Sequence, residues 1–546
     1  MKAIDLYSGI GGWTLGLKMA GIEVISSYEW WKDANHTHNK NFGTNHKERD
    51  IRKLDLVKDL PDHSEVDFVV GSPPCTQFSY ANRGGGGDLA DGLVDIYKFL
   101  EVVDYLKPKY WAMENVPRVA GILRLEIQEG GGLNKFKHLF EGGYGTIEVY
   151  DSSEFGVPQN RKRMIAGRFP RDLFESYREM TQLRHLRDVV ESLASDEVCD
   201  PIYGHTVANL TDHIEETPLT QEEERINKDS KTFHPVYNKM SFPDKLDRPS
   251  RTVTALCTRV SRESIIIEGN KGFRRLTVRE RGCIQSFPAD FQFYSNSYGG
   301  KLKMIGNAVP PLLTYYLAQS MLETPQEKLP SPKSENKIVN NSDNLPKFFE
   351  PEFKGNKFSW SRSFWLAIPG LRFGSGVRFE LRNVSNKEIQ KVDWWINFHY
   401  GNSKKNKQLP LEENLFNDVW ESLLIMDINL EDYLKEYIEF IKNIDVNGLQ
   451  ENWTNKDRSK NGPIWLVDQI GIFSENLINE FKKYDFIKKN KLKELTEHIL
   501  RNGNGALDNK KLADFPEIII SGILIGSIFN IVMINKEVRL PIITNS

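Results

Sequence analysis

Cysteine is scarce in this 546-residue chain: four in all, Cys75, Cys199, Cys257 and Cys283, with no C-x-x-C pair and none after 283. That scarcity argues against a disulfide framework or a structural zinc site and fits a reducing compartment. A charge excess is missing as well. The net charge of −3 announces no polyanionic partner, so any such signal must be local. No basic stretch followed by an apolar core opens the chain, so no export is expected. Long apolar runs are nearly absent. Ile518 to Ile534, with Gly522-x-x-x-Gly526, comes nearest, but it falls short of about 20 residues and is broken by Ser521, Ser527 and Asn530. Its β-branched richness suits a buried strand or a core helix, and the chain reads as soluble, with no membrane partner. No internal repeat is found.

What is present is a globular composition, 39% hydrophobic and 27% charged, in a chain long enough for two or more domains. Residues 1 to about 170 alternate short apolar runs with amphipathic stretches. Ala3–Tyr7, Val24–Tyr28, Phe68–Val70 and Tyr110–Met113 read as buried strands, with helices at Thr14–Ala20, Leu93–Leu106 and around Leu123. Strand, glycine turn and helix in repetition predict an α/β fold with a mostly parallel, doubly wound sheet.

Charge is uneven after that. Gln159–Arg187 holds eight basic residues against three acids, Asp188–Glu224 holds no Lys or Arg, and Arg251–Arg281 again holds eight against three. The pattern suggests two basic cleft walls around an acidic, solvated insert that forms an outward loop or small domain. A polar, proline-bearing stretch from Thr324 reads as a linker. Beyond it lies a separate domain with seven of the eleven tryptophans.

Cys75 stands in Gly71-Ser72-Pro73-Pro74-Cys75-Thr76-Gln77, straight after the run Val66–Val70. Two prolines stop a strand's hydrogen-bond ladder, so the cysteine is presented at a strand's carboxyl end, where open α/β sheets bind ligands. Alone it reads as a small buried residue rather than a catalyst. The turn Asp5-Leu6-Tyr7-Ser8-Gly9-Ile10-Gly11-Gly12 follows the first strand and precedes a helix, suiting close approach of a nucleotide. Glu29 ends the second strand, where an acid pairs with ribose hydroxyls or is simply a surface acid. Asp50-Ile51 offers an acceptor for an adenine amino group with an apolar face beside it, or a helix cap.

These elements, in order, resemble the DNA (cytosine-5)-methyltransferase family. Tyr7–Gly12 looks like its S-adenosylmethionine loop, Pro74-Cys75 like its nucleophile motif, and Glu114-Asn115-Val116 like its glutamate motif. Gln159-Asn160-Arg161-Lys162-Arg163 matches Q-x-R-x-R. Arg275–Glu280 with Gln285-Ser286-Phe287-Pro288, and then Gly306-Asn307-Ala308-Val309-Pro310-Pro311, match the later blocks. Six motifs in sequence cover roughly residues 1–322. One departure is Thr76, which stands between Cys75 and Gln77 where the family has glutamine next to cysteine.

The resemblance implies a Rossmann-like mixed sheet that uses S-adenosylmethionine as co-substrate and no metal. The implied domains are a catalytic domain (1–168 and 248–323), an inserted target-recognition region (169–247), a linker (324–345) and an unassigned mixed α+β domain (346–546). Cys75 would add to cytosine C6, Glu114 would neutralise N3, Arg163 would face O2, and Arg161 would help hold base or phosphate. The implied cofactor set is Tyr7, Gly9, Gly11, Gly12, Glu29, Trp30, Asp50, Ile51, Pro74 and Asn307. The base is stacked in the duplex, so it must be flipped out, repaid by phosphate contacts from the two basic segments. Double-stranded DNA is the implied partner of a cytoplasmic, nucleoid-associated monomer, with a cognate restriction endonuclease possible. The remaining cysteines read as packing residues.

Three alternatives stay open. Ser72-Pro73-Pro74 resembles the motif of amino-methyltransferases, one branch of the family modifies tRNA, and a catalytically silent DNA-binding module would share the scaffold. For the carboxyl-terminal domain a nuclease, a second DNA-reading module or a docking domain are the candidates. Asp393, Glu380 and Arg382 lack a metal-nuclease spacing, and Trp394-Trp395 suits either a stacking platform or a core.

Overall fold

Strand and helix alternate from the first residues: β1 (Lys2–Leu6), α1 (Gly12–Met19), β2 (Glu23–Tyr28), α2 (Lys32–Phe42), β3 (Phe68–Gly71), α3 (Leu89–Leu106), β4 (Tyr110–Asn115), α4 (Arg118–Glu126), β5 (Gly145–Asp151) and β6 (Lys162–Arg168). The computed structural model describes residues 1–74, 89–232, 240–333, 345–347, 359–372, 377–386, 388–389, 391–402, 405–454, 462–502 and 510–535. Cys75, Thr76 and Gln77 lie outside them. Two compact units divide the chain, Met1–Glu352 and Phe353–Ser546.

In the first unit the sheet order is β2-β1-β3-β4-β6-β5. β1 pairs in parallel with β2 and β3, and β3 with β4, while β6 runs antiparallel to β4 and β5. Alternate residues serve opposite faces of the central strands. Ala3, Phe68, Val70 and Ala112 join one core; Ile4, Leu6, Val69 and Met113 join the other. Continuous apolar runs are what a sheet buried on both faces requires. From β1 the chain goes to β2 on one side and later to β3 on the other. The crevice outside the ends of β1 and β3 is therefore the topological switch point.

Next come α5 (Arg171–Ser176), α6 (Leu186–Ala194), α7 (Gln221–Thr232), the hairpin β7 (Ile266–Gly269) and β8 (Gly272–Arg275), α8 (Val278–Ile284), α9 (Tyr298–Asn307) and α10 (Pro311–Met321). The start of the segment after β6 packs into the first unit: Phe169, Phe174, Tyr177, Leu186 and Val189 are buried in the same core as α10. Helix α10 closes on α1. A Cβ at Gly16 would stand 2.1 Å from the Thr314 hydroxyl oxygen. Of the remaining cysteines, Cys257 and Cys283 are buried as expected of packing residues, whereas Cys199 is exposed.

The second unit has an antiparallel sheet ordered β12-β11-β10-β9, from β9 (Trp365–Arg372), β10 (Arg378–Asn386), β11 (Lys391–Asn402) and β12 (Lys405–Leu409). Helices α11 (Glu413–Ile425), α12 (Glu431–Lys442), α13 (Val446–Thr454), α14 (Pro463–Lys482), α15 (Phe486–Asn502) and α16 (Pro516–Asn535) follow. The apolar run at 518–534 is thus a helix, α16, long and apolar enough to cross a membrane but with 72% of its length buried in this unit. Its Gly522 and Gly526 let it lie against the sheet, since a Cβ there would meet the Phe379 ring at 2.3 Å and Leu411 at 2.5 Å. Asn530 donates to the carbonyls of Ile396 and Leu411 and accepts from the Ile396 amide at 2.7 Å. The residue that interrupts the apolar run therefore anchors the helix to β11.

Candidate active site

β1 ends at Leu6, and the chain turns through Tyr7 (φ 56°), Gly9 (φ 55°) and Gly11 (φ 93°) into α1. Left-handed backbone favours glycine. Tyr7 is held there by its hydroxyl, which lies 3.2 Å from both the carbonyl and a carboxylate oxygen of Asp95 and can donate to either. Gly11 and Gly12 have no room for a side chain: a Cβ would stand 2.3 Å from the Phe42 ring and 2.2 Å from the Val309 carbonyl oxygen. At Gly9 nothing lies within 4 Å of that point, so the turn is open on this side. The first turn of α1 finds its acceptor on β1, where Asp5 takes the Thr14 amide at 3.1 Å and hydroxyl at 2.7 Å. Burial pushes the Asp5 carboxyl up to about 7.

Just past the end of β2, Glu29 is buried, with one oxygen accepting the Gly9 amide at 2.9 Å and the other the Trp31 amide at 2.6 Å. Burial raises its pKa while those amides pull it down. Trp30, between them, is 64% exposed. The Arg49 amide donates to the Glu29 carbonyl at 2.8 Å, which brings Asp50 and Ile51 alongside. Ile51 is buried, and Asp50 caps a short 3-10 turn through the Arg52 amide at 3.1 Å.

Leu6, Gly71 and Met113 are in register across β1, β3 and β4, so Tyr7, Ser72 and Glu114 occupy one edge of the sheet. The Ser72 hydroxyl accepts from the Trp13 indole at 3.0 Å, and the Pro73 carbonyl accepts from the Asn115 side chain at 3.0 Å. Proline lacks an N–H, so its carbonyl is the group left to tether. Pro74 follows, and then Cys75, outside the described residues. Glu114 is 6% exposed, with one carboxylate oxygen 2.7 Å from Arg163 Nε on β6.

Arg161 goes elsewhere. It is 2% exposed and donates to the carbonyls of Val253 at 3.0 Å, Gly306 at 2.9 Å and Ala308 at 3.1 Å. Gln159 joins it, accepting from the Val253 amide at 2.8 Å and pairing with Gln285. The expectation that both arginines serve base or phosphate is thus corrected for Arg161, whose guanidinium is spent on carbonyls inside the unit. It precedes the first residue of β6, so strand alternation does not govern its direction. Asn307 is exposed at the end of α9, two residues before Val309, whose carbonyl meets Gly12.

A glycine turn, a buried acid and a Pro-Pro segment beside an acid–arginine pair share one sheet edge, and the model of the C-5 cytosine-specific DNA methylase family matches residues 1–323. The chain belongs to that family. The Type II methyltransferase M.FnuDI of Fusobacterium nucleatum is 28% identical over 349 residues, 60% of this chain and 96% of that protein. M.HgiDI of Herpetosiphon aurantiacus is 30% identical over 328 residues, covering 59% and 94%. The solved Dnmt2 methyltransferase of S. pombe aligns at 18% identity with a TM-score of 0.41, over 59% of this chain and 98% of that one.

In this methylase the second basic segment is not a phosphate wall. Arg251 pairs with Asp244, Arg259 with Glu216 and Glu223, Arg275 with Glu216, and Arg274 with Glu280. Arg279 and Arg281 are buried. Nor is the acidic insert simply a solvated face, because Glu216 and Glu223 are 5% and 4% exposed and pair with Arg259 and Arg275 of that segment. The two charge blocks are partners. Breaking such a buried pair costs about 3–5 kcal/mol. Sequence reasoning misses Asp5 and Asp95. Asp95 takes Tyr7 and, at 2.9 and 2.7 Å, two nitrogens of Arg52. No local motif marks a helix residue that meets a turn 88 positions earlier. Among the described residues, no group of three or more His, Cys, Asp or Glu could hold a metal.

Proposed function

We propose that the enzyme methylates C5 of a cytosine flipped out of double-stranded DNA, through a transient bond between Cys75 and C6. The observation that carries this reading is the Glu114–Arg163 pair, 2.7 Å apart, next to the Asn115 side chain that tethers Pro73. A carboxyl and a guanidinium side by side suit N3 and O2, adjacent on the cytosine ring, and the tether brings the chain leading to Cys75 to the same edge.

The Cys75 thiolate adds to C6, which makes C5 nucleophilic. Glu114 shares a proton at N3 to neutralise the charge pushed into the ring, and Arg163 holds O2. After methylation the C5 proton passes to water, the C5–C6 double bond re-forms, and the Cys75–C6 bond breaks with its electrons returning to sulfur. Bound S-adenosylmethionine supplies an electrophilic sulfonium methyl group. Tyr7, Gly9, Gly11, Gly12, Pro74 and Asn307 would enclose it, with Glu29 on its ribose hydroxyls, Trp30 and Ile51 against apolar surface, and Asp50 on the adenine amino group. Three features support the fit: the open side of Gly9, a Glu29 carboxylate with one amide per oxygen, and the exposed Trp30 indole.

Relatives named as Type II methyltransferases support a restriction-modification role; the proposal extends to a cytoplasmic monomer that works beside a cognate endonuclease, with residues 169–247 contributing target recognition. A duplex carrying 5-fluorocytosine should trap the intact chain covalently in the presence of S-adenosylmethionine, and Cys75→Ser should not be trapped. Mapping 5-methylcytosine in cells expressing the protein supplies the target sequence for that duplex. No adduct with the intact chain would sink the covalent reading.

A further inference from the structure

The sheet of the second unit has two unlike faces. Phe379, Leu381, Ile396 and Phe398 are buried on the side that packs against α14 and α16. On the other side β10 carries Arg378, Glu380 and Arg382, in register with His399, Asn397 and Trp395 of β11, while Trp365 of β9 pairs with Arg382. Glu380 organises this face. Its side chain is 1% exposed and pairs with Arg378 on one oxygen; on the other it takes Nε and Nη2 of Arg382 at 3.1 and 2.9 Å. His399 Nε2 stands 3.3 Å from that second oxygen.

A buried carboxylate is costly unless it is fully paired, and this one is used to hold two guanidiniums in place. Both arginines remain reachable, with side chains 22% and 31% exposed. Among the described residues, the Nη groups of Arg378 and Nη1 of Arg382 carry no hydrogen bond. Trp365 is 63% exposed, with the Arg382 and Arg378 guanidiniums 5.1 and 6.0 Å from its ring centre. The indole, hydrogen-bonded to Glu380 and lying near two cations but mostly exposed, offers a flat face for a base and charge for the adjoining phosphates.

Local charge agrees. Residues 362–409 hold nine Lys and Arg against three acids, whereas the helical stretch 411–454 that follows holds two against eleven, so the sheet segment is basic and its neighbour in sequence acidic; a second basic stretch lies at 482–501, with seven against three.

We propose that this face, built on Trp365, Arg378 and Arg382, binds a strand of nucleic acid with an unpaired base stacked on Trp365 and its phosphates on the two arginines. This binding face is additional to the catalytic site and does not depend on Cys75.

Fluorescence anisotropy of the full chain with a labelled single-stranded oligodeoxynucleotide tests it. Trp365→Ala should weaken binding roughly fivefold to a hundredfold, and Trp365→Phe, which keeps an aromatic face, should retain most of it. Arg378→Ala with Arg382→Ala should reduce the slope of log affinity against log salt by about 0.7 for each phosphate that the arginines no longer neutralise. Circular dichroism and kcat at saturating duplex report separately on folding and on the catalytic unit. Absence of methyl transfer by the wild type would count against the proposed function and leave this binding face standing. Affinity and salt slope unchanged in folded variants would overturn it. So would a loss confined to fully paired duplex, or a loss only of self-association through the acidic helices of a second copy.

Discussion

Two arginines two residues apart in one motif have different work. Arg161 satisfies three buried carbonyls, so Arg161→Ala is expected to lower the unfolding free energy by about 3 kcal/mol, read by urea titration. A cost below about 0.5 kcal/mol would mean those carbonyls find other donors. Arg163 meets Glu114. Arg163→Lys keeps the charge but loses the planar fork, and kcat/KM should fall roughly a hundredfold, measured by methyl transfer to duplex DNA. His38 supplies a pH test. It is buried against Ser27 and Thr14, and burial, with smaller contributions from His46 and Lys18, lowers its pKa to about 3. The unfolded chain therefore takes up the proton first, and stability is whole above the ordinary histidine value of about 6.5 and is lost as pH falls. By about pH 4 the loss is roughly 3 kcal/mol. Asp5, raised to about 7, has the opposite sign. Its share is fully present below the ordinary carboxylate value and is lost as pH rises toward 7. Comparing His38→Gln with wild type by denaturant titration from pH 7 down to about 4 isolates the histidine: the gap in stability should shift steadily in the variant's favour.

At the scale of elements, the site depends on how closely helices approach. Gly12 and Gly16 lie one turn apart on α1; Gly12 faces Val309, just before α10, and Gly16 faces α10 itself. Gly16→Ala would push a methyl group into Thr314 and the Tyr315 amide, 2.1 and 2.6 Å away. Overpacking of this kind costs about 1–3 kcal/mol. Because α1 begins at the turn, a weaker affinity for S-adenosylmethionine should accompany the lower melting temperature; calorimetry of folded protein checks both. The glycine turn and the strands before it were legible because local chemistry writes them: apolar runs for the sheet, glycine for positive φ. The charge blocks misled for the same reason. A basic run and an acidic run look like two surfaces until the fold brings Arg259 onto Glu216 and Glu223, 43 and 36 residues away.

For the whole molecule, both cores of the catalytic unit are built from residues between Ala3 and Met321. A chain ending at Glu352 should therefore fold and transfer methyl groups, assayed with labelled S-adenosylmethionine on plasmid DNA. Failure to fold would mean that residues beyond 352 complete the unit. With the truncated chain, single-stranded affinity should also drop, since Trp365, Arg378 and Arg382 are removed.

Chain order and motif spacing alone determined the α/β class, the Gly-rich turn, Glu29 and the acid at 114, because each is specified by neighbours within a few residues. Only the tertiary structure decided that Glu114 meets Arg163, that Arg161 faces inward, that most of the second basic segment is neutralised, and that the apolar run at 518–534 is a core helix. Those outcomes depend on partners tens to hundreds of positions away, and no local pattern specifies which buried charge will meet which.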